Sequence, residues 1–327
     1  KKLIVPAHSL PEEAMVKLVV LTKNDNSLSE KMEVPVYPEH YQELVEFWIE
    51  YRGVNAGLPD WDDLEYGEAV DWIRNHQDGD TRPSWGKYAQ DHLPLLNQPT
   101  IEGHAVRATL LAAGVTAAAN MNDDPRYYNE AWRLWNNMVY KRMYITGGVG
   151  SVPWGEKFGP DYYLPHDGHL ETCAAAGAAF FHQNMATTFA DGRMVDELER
   201  VMFNGLLSGV SLDGTSFFYQ NRLIDYGHGE YDCPNPFHEH QGEMLEQDGR
   251  KRWEWHVCPC CPPMLLKAYA ALPGYIYAYN KNTLYVNLFI GSTASVPLTS
   301  TPVKVKQNTD YPWDGKINVT LSPEQQK

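Results

Sequence analysis

At 327 residues the chain is long enough to bury a sizeable core, and its 43% hydrophobic and 21% charged residues are the balance of a globular rather than a disordered protein. A formal net charge of −15 excludes nucleic acid as the expected partner, because phosphate backbones are met by basic surfaces. No apolar run approaches the roughly 20 residues that span a bilayer, so no membrane partner is expected either.

In chain order, the opening KKLIVPAHSLPEEAM carries lysines but neither a long apolar core nor a small-residue cleavage site, and no signal peptide is read there. It starts abruptly, as if within a packed fold, and SPEQQK stops just past a strand-like run. The chain is expected to be a fragment, incomplete at its N-terminus. Apolar residues three and four apart predict helices over Glu12–Leu21 and His40–Tyr51. Residues 53–100, rich in Asp, Gly, Pro and Trp, read as a long irregular excursion. Gly103–Asn120 is alanine-rich and almost uncharged, the pattern of a helix packed on most sides. Asn129–Arg142, Glu171–Phe189, Arg193–Gly209 and Pro262–Leu272 complete the helices, the last opening on prolines where a missing N–H costs little. SFFYQNRLI (216–224) reads as a hairpin over a cavity mouth.

Beyond residue 271 the period changes. Thr283–Val296 and Val303–Leu321, the latter interrupted by the turn-like YPWDG, alternate and are rich in Val, Ile, Thr and Tyr. No internal repeat is found. The expected fold class is therefore mainly α, an α/α toroid over residues 1–271 followed by the start of a β domain over 272–327. Loops gathered at the concave end of a toroid suit an extended carbohydrate. The 10 Trp and 20 Tyr fit stacking on sugars as well as a large aromatic core.

The five cysteines, Cys173, Cys233, Cys258, Cys260 and Cys261, are odd in number and unlike a disulfide framework. CPCCPP (258–263) packs three sulfurs into a soft, compact ligand set of the kind zinc favours. Glu171 and Cys173 stand two apart in GHLETCAAAG. Such positions diverge within a helix, so they reach one metal only at a helix start or on an extended stretch, and are otherwise a surface Glu and a core Cys. FHEH (237–240) is a competing metal candidate, with a solvated loop as its plain alternative, and Cys233 reads as structural or incidental. The run Gly147-Gly148-Val149-Gly150-Ser151, followed by Gly155-Glu156, lacks the Lys-Ser/Thr of a P-loop. It reads as a flexible loop carrying Glu156 into a cavity; alone, Glu156 is a surface carboxylate. Taken singly, His104 is a core or interhelical histidine, Glu199 a solvated or salt-bridged helix residue, and Tyr219 core packing.

Together, YITGGVGS (144–151), GE (155–156), DYYLP (161–165), ETCA (171–174), ERVMFNGLLSGVSLDGTSFFYQN (199–221), CPCCPP (258–263), LYVNLFIGS (284–292) and YPWDG (311–315) resemble the glycoside hydrolase family of bacterial β-L-arabinofuranosidases. The resemblance covers most of the chain in the family's order, and ETC with C-x-C-C-P-P is its most specific part. It implies Zn2+ held by Glu171, Cys173, Cys260 and Cys261, with Cys260 as nucleophile and Glu156 as general acid/base. It implies that His104, Glu199 and Tyr219 contact sugar. The implied fold is an (α/α)6 barrel followed by β-sandwich domains, of which this sequence is expected to be missing the first barrel helices, a sugar-contacting histidine and the later β domains.

The implied activity is retaining, exo-acting release of a terminal β-L-arabinofuranose, or a related furanose, from a plant-type oligosaccharide or glycan. As acid, Glu156 is expected to have a raised pKa in a partly dry cavity near anionic ligands. Two departures from the family pattern bear on the site: Met264 stands where Asn is usual, which alters the surroundings of the cluster, and a stretch about one residue shorter between LPHD and ETC, with His169 near a usual aromatic, bears on the substrate's sugar more than on the reaction. The alternatives are a hydrolase of a branched acidic pentose such as aceric acid in pectin, a sugar epimerase or polysaccharide lyase, and a non-catalytic sugar-binding protein with structural zinc. A homodimer is compatible with the sequence. Reduced thiolate chemistry favours the cytoplasm, with a periplasm as the alternative because metal-protected thiols survive there.

Overall fold

The structure, a computed structural model, describes residues 8–25, 27–28, 31, 34–54, 86–224, 252–255 and 258–324. Cys233 and FHEH (237–240) lie outside the described residues, as does most of the expected excursion; its last part, 86–100, holds only short 3₁₀ turns.

The described helices are α1 (Pro11–Asn24), α2 (Pro38–Glu50), α3 (Ala105–Asn122), α4 (Pro125–Asn137), α5 (Thr172–Phe189), α6 (Gly192–Arg200) and α7 (Cys261–Ala271). Their starts are written locally. Pro11, Pro38 and Pro125 occupy first-turn positions where no N–H is needed. The Asp124 carboxylate accepts from the Arg126 N–H at 2.8 Å, and Asp191 accepts from the Arg193 N–H at 3.0 Å, capping α4 and α6.

α3 and α5 are apolar on almost every side and lie against each other at the centre of the core. Gly177 of α5 makes this approach possible, since a Cβ there would sit 2.1 Å from Thr109 Oγ1 on α3. Trp135, Met138, Phe181 and Leu206 fill the space around this seam. Val45, Ile49, Leu111, Val115 and Tyr127 form a second cluster tying α2 to α3 and α4.

Two expected helices change pitch. Instead of running unbroken to Arg142 and Gly209, α4 and α6 pass into π-helical turns over Met138–Arg142 and Val201–Leu206. At each junction one N–H is shared between two carbonyls: Met138 between Leu134 and Trp135, and Val201 between Glu197 and Leu198.

The C-terminal part is antiparallel β. β1 (Tyr277–Asn280) pairs with β2 (Thr283–Val286), and β3 (Ser292–Val296), β4 (Val303–Thr309) and β5 (Ile317–Pro323) form a second sheet in that order. The expected run Thr283–Val296 is thus split between two sheets, with Leu288 turned into the helical core between them. β4 buries Val303, Val305 and Gln307 and exposes Lys304, Lys306 and Asn308, the period-two pattern of a half-covered strand. The segment 216–224 pairs back on residues 209–211 only at its start, with Ser211 N–H donating to Ser216 O at 2.8 Å and Phe218 N–H to Gly209 O at 2.7 Å. Phe217 makes single bridges to Val210 and Trp253, and Gln220 makes one to Glu171, so the segment is laid against the start of α5. No described helix is long and apolar enough to cross a membrane.

Candidate functional site

The N-termini of α5 and α7 meet at one cluster. Glu171 is the N-cap residue of α5 and Cys173 lies in its first turn; Cys260 is the N-cap residue of α7 and Cys261 its first residue, followed by two prolines. The helix start is what allows Glu171 and Cys173, two apart in sequence, to face the same point. Backbone bonds fix it: Thr172 N–H donates to Tyr219 O at 2.9 Å, and Leu170 N–H to Gly150 O at 2.9 Å. The Cys173 and Cys261 sulfurs are 3.5 Å apart, those of Cys260 and Cys261 3.8 Å, and Cys260 Sγ lies 3.4 Å from Glu171 Oε1. One donor atom from each of these four residues lies within 4.8 Å of the others. Cys258 is exposed and is not one of these four donors, though it lies beside Cys260.

Three sulfurs and one carboxylate oxygen, mostly buried, are a soft donor set able to hold a metal ion. The helix N-termini favour negative charge there. Cys173 and Cys261, donating towards Cys260, bring its thiol down to about 2, while Glu171 is raised by burial. Glu171 Oε2 is buried without a hydrogen-bond partner, so the carboxylate keeps an unused acceptor in the cluster.

Glu156 stands beside this cluster. It lies in the short paired turn Val152–Lys157, closed by Val152 N–H to Lys157 O at 3.0 Å and Lys157 N–H to Val152 O at 2.9 Å. Gly155 (φ 70°) and Glu156 (φ 50°) are both left-handed, which turns the carboxylate back over the site. The loop expected to be flexible is therefore pinned. Tyr219 Oη donates to Glu156 Oε1 at 2.7 Å, and His104 Nε2 lies 2.9 Å from Oε2. Burial alone would raise the Glu156 carboxyl, but His104, His169 and Tyr219 together hold it at about 2. The raised value expected from sequence is not found, because those donors outweigh burial.

Of the residues expected at the sugar, the structure brings His104 and Tyr219 onto Glu156. It does not bring Glu199 there. Glu199, on α6, accepts a hydrogen bond from Tyr311 Oη at 2.7 Å and so faces the loop between β4 and β5.

Sequence reasoning passed over other neighbours. The rings of His8 and Tyr88 both stand edge-on to the His104 ring, with centroids 5.3 and 5.2 Å away. His169, noted in the sequence only for the aromatic it replaces, is fully buried, with Nε2 3.7 Å from Glu156 Oε1; burial pushes it down to about 4. Arg107 lies 4.9 Å from the Tyr88 ring centroid. Gly103 was the available signal for Tyr88. At φ 73° with Lys87 O where its Cβ would be, it locks the Tyr88 turn against His104, whose N–H donates to Tyr88 O at 3.3 Å.

Comparison with known proteins shows what the chain resembles as a whole. Residues 1–274 match the family model of the β-L-arabinofuranosidase GH127 catalytic domain, and residues 283–327 that of the GH127 middle domain. A non-reducing end β-L-arabinofuranosidase from Bifidobacterium longum subsp. longum is 34% identical over 250 residues, covering 76% of this chain and 36% of that protein. A GH127 β-L-arabinofuranosidase from Geobacillus stearothermophilus T6 superposes with a TM-score of 0.75 at 32% identity, over 96% of this chain and 44% of the other. A second GH127 β-arabinofuranosidase structure gives 0.75 at 31% identity, over 98% of this chain and 41% of its own. The chain thus spans less than half the length of these relatives.

Proposed function

Because this chain belongs to the GH127 β-L-arabinofuranosidase family, we propose that it works as a retaining exo-glycoside hydrolase releasing terminal β-L-arabinofuranose or a related furanose. The observation that supports this most is the meeting of Glu171, Cys173, Cys260 and Cys261 at two helix starts with Glu156 alongside. These four residues would hold zinc, which when bound keeps thiolates ionised at neutral pH and stabilises a departing sulfur.

Glu171 belongs to both groups of donors, so Cys260 and Glu156 each place an atom within 4.8 Å of one of its oxygens. Both groups thus border on Glu171, and the proposed reaction is a double displacement, in which nucleophile and acid flank the anomeric carbon. Cys260 Sγ attacks that carbon, the glycosidic C–O bond breaks, and Glu156 gives its proton to the leaving oxygen. Glu156, now ionised, takes a proton from water as the water attacks the same carbon. The C–S bond then breaks, returning the Cys260 thiolate and the free sugar.

For Glu156 to act as the acid in this scheme, the bound sugar has to raise its carboxyl. A glycosidic oxygen replacing His104 or Tyr219 removes a bond that favours the carboxylate, and covering the site adds burial. His104 and Tyr219 are the sugar-positioning groups in this scheme, and Glu199 is assigned to the same sugar only by the resemblance. The helices are taken as part of an (α/α)6 toroid, with the catalytic domain over 1–271 and a β-sandwich beginning at 272. An acidic furanose is a second reading favoured by Arg107, held over the Tyr88 ring that packs on His104.

Trapping the chain with a β-L-arabinofuranosyl electrophile, followed by intact mass and peptide mapping, tests the proposal. The expected result is a sugar adduct on Cys260 that is absent in Cys260→Ser and unchanged in Cys258→Ser. An adduct on a carboxylate overturns the cysteine mechanism. Stoichiometric metal without any adduct favours a structural ion, as closed four-donor sites often are.

A further inference from the structure

Glu171 is shared by two sets of donors. Besides the sulfur cluster, His104, Glu156 and Glu171 bring a ring nitrogen and two carboxylate oxygens within 4.8 Å of one another. The two oxygens of Glu171 are differently placed. Oε1 lies 3.4 Å from Cys260 Sγ and 3.9 Å from Cys261 Sγ, whereas Oε2 is buried and has no hydrogen-bond partner. A buried carboxylate oxygen left without a partner is costly, and a cation is the partner its charge favours.

We propose a second divalent-cation site in which His104 Nε2, a Glu156 oxygen and Glu171 Oε2 take a second zinc ion, bridged through Glu171 to the one in the sulfur cluster. The inference rests on the zinc reading of that cluster. Charge supports it. One carboxylate and three thiolates outweigh a single divalent ion, and Glu156 adds a further negative group beside them. Carboxylate-bridged pairs of ions about 3.5–4 Å apart are an ordinary arrangement.

The order of filling follows from the donors. The sulfur set is softer and fills first; the nitrogen and oxygen set fills at higher zinc, when an ion replaces the hydrogen bond now joining His104 to Glu156 at 2.9 Å. The second ion then occupies the acid/base and its histidine, so zinc excess and sugar exclude one another.

The test is a calorimetric titration of the zinc-loaded chain with zinc chloride, with metal content measured after desalting, in the wild type, Glu156→Gln and His104→Gln. Cobalt substitution reads the first equivalent separately, through the thiolate charge-transfer band of the sulfur cluster. The expected result is a weaker second equivalent in the wild type. It loses affinity at least about tenfold in both variants, while the cobalt band and circular dichroism stay unchanged. A second equivalent unaltered in both variants, or one ion only at millimolar zinc, overturns the second site alone. A chain that takes up no first ion overturns this proposal and the zinc reading together.

Discussion

Glu156 carries two hydrogen-bond donors on opposite oxygens, and its chemistry depends on which of them a substrate displaces. Tyr219 is the more informative to remove, because its hydroxyl meets Oε1 at 2.7 Å and Tyr219→Phe leaves the ring packed beside His169. A donor to the charged form holds a carboxyl low, so losing it raises Glu156 from about 2. Tyr219→Phe is expected to move the Glu156 limb of the kcat/KM profile upward by roughly one unit or more. The check is the pH–rate profile of both proteins on one aryl furanoside; an unmoved limb means that Tyr219 does not govern this ionisation.

Helices set the precision of the site, and two positions report on them. At Gly177 a methyl group would strike Thr109 on the facing helix, so Gly177→Ala is expected to cost about 1–3 kcal/mol. A urea midpoint measurement decides it, and an unchanged midpoint shows that the α3–α5 seam can yield. On α4, Glu130 is fully buried, with Oε1 unpartnered despite its bond from Arg133. Burial raises its carboxyl from 4.5 to about 8, against the pull of Arg133. Between those values the folded chain keeps a proton that the unfolded chain has released. Stability from this group is therefore full at low pH and falls as pH rises through the window. Going from about pH 5 to pH 8 is expected to remove ~2–4 kcal/mol through Glu130, and Glu130→Gln to abolish that part of the slope. Thermal melts of both proteins across the range measure it.

For the molecule as a whole, periodicity showed where helices and strands would lie, because burial on one face or on all faces leaves its mark along the chain. α3 and α5 were legible from their lack of charge, and the strands from their alternation. The π turns after α4 and α6 were not, since widening the helix into i→i−5 turns is settled by packing rather than by residue type. The sulfur cluster was legible in part: CPCCPP announced a ligand set, but Glu171 and Cys173 became partners to it only through a helix start that spacing could not supply. His8, Tyr88 and the orientation of Glu199 towards Tyr311 depend on contacts between distant segments, which leave no local pattern.

The cluster has one more property, and it is mechanical. Cys173 and Cys261 stand 88 residues apart in the chain yet touch at 3.5 Å, so an ion gripping both works as a reversible clasp on a long loop. A covalent crosslink closing a loop of that size restricts the unfolded chain by roughly 4 kcal/mol, and a tightly held ion acts in the same sense. Chelation should then lower the melting temperature and quicken unfolding, with re-addition of zinc restoring both, even in a Glu156→Gln protein that turns over nothing. A melting temperature indifferent to chelator would show that the packing of α5 against α7 already holds the loop shut. The same few atoms would set how long the protein lasts as well as how it reacts, and available zinc would govern its lifetime.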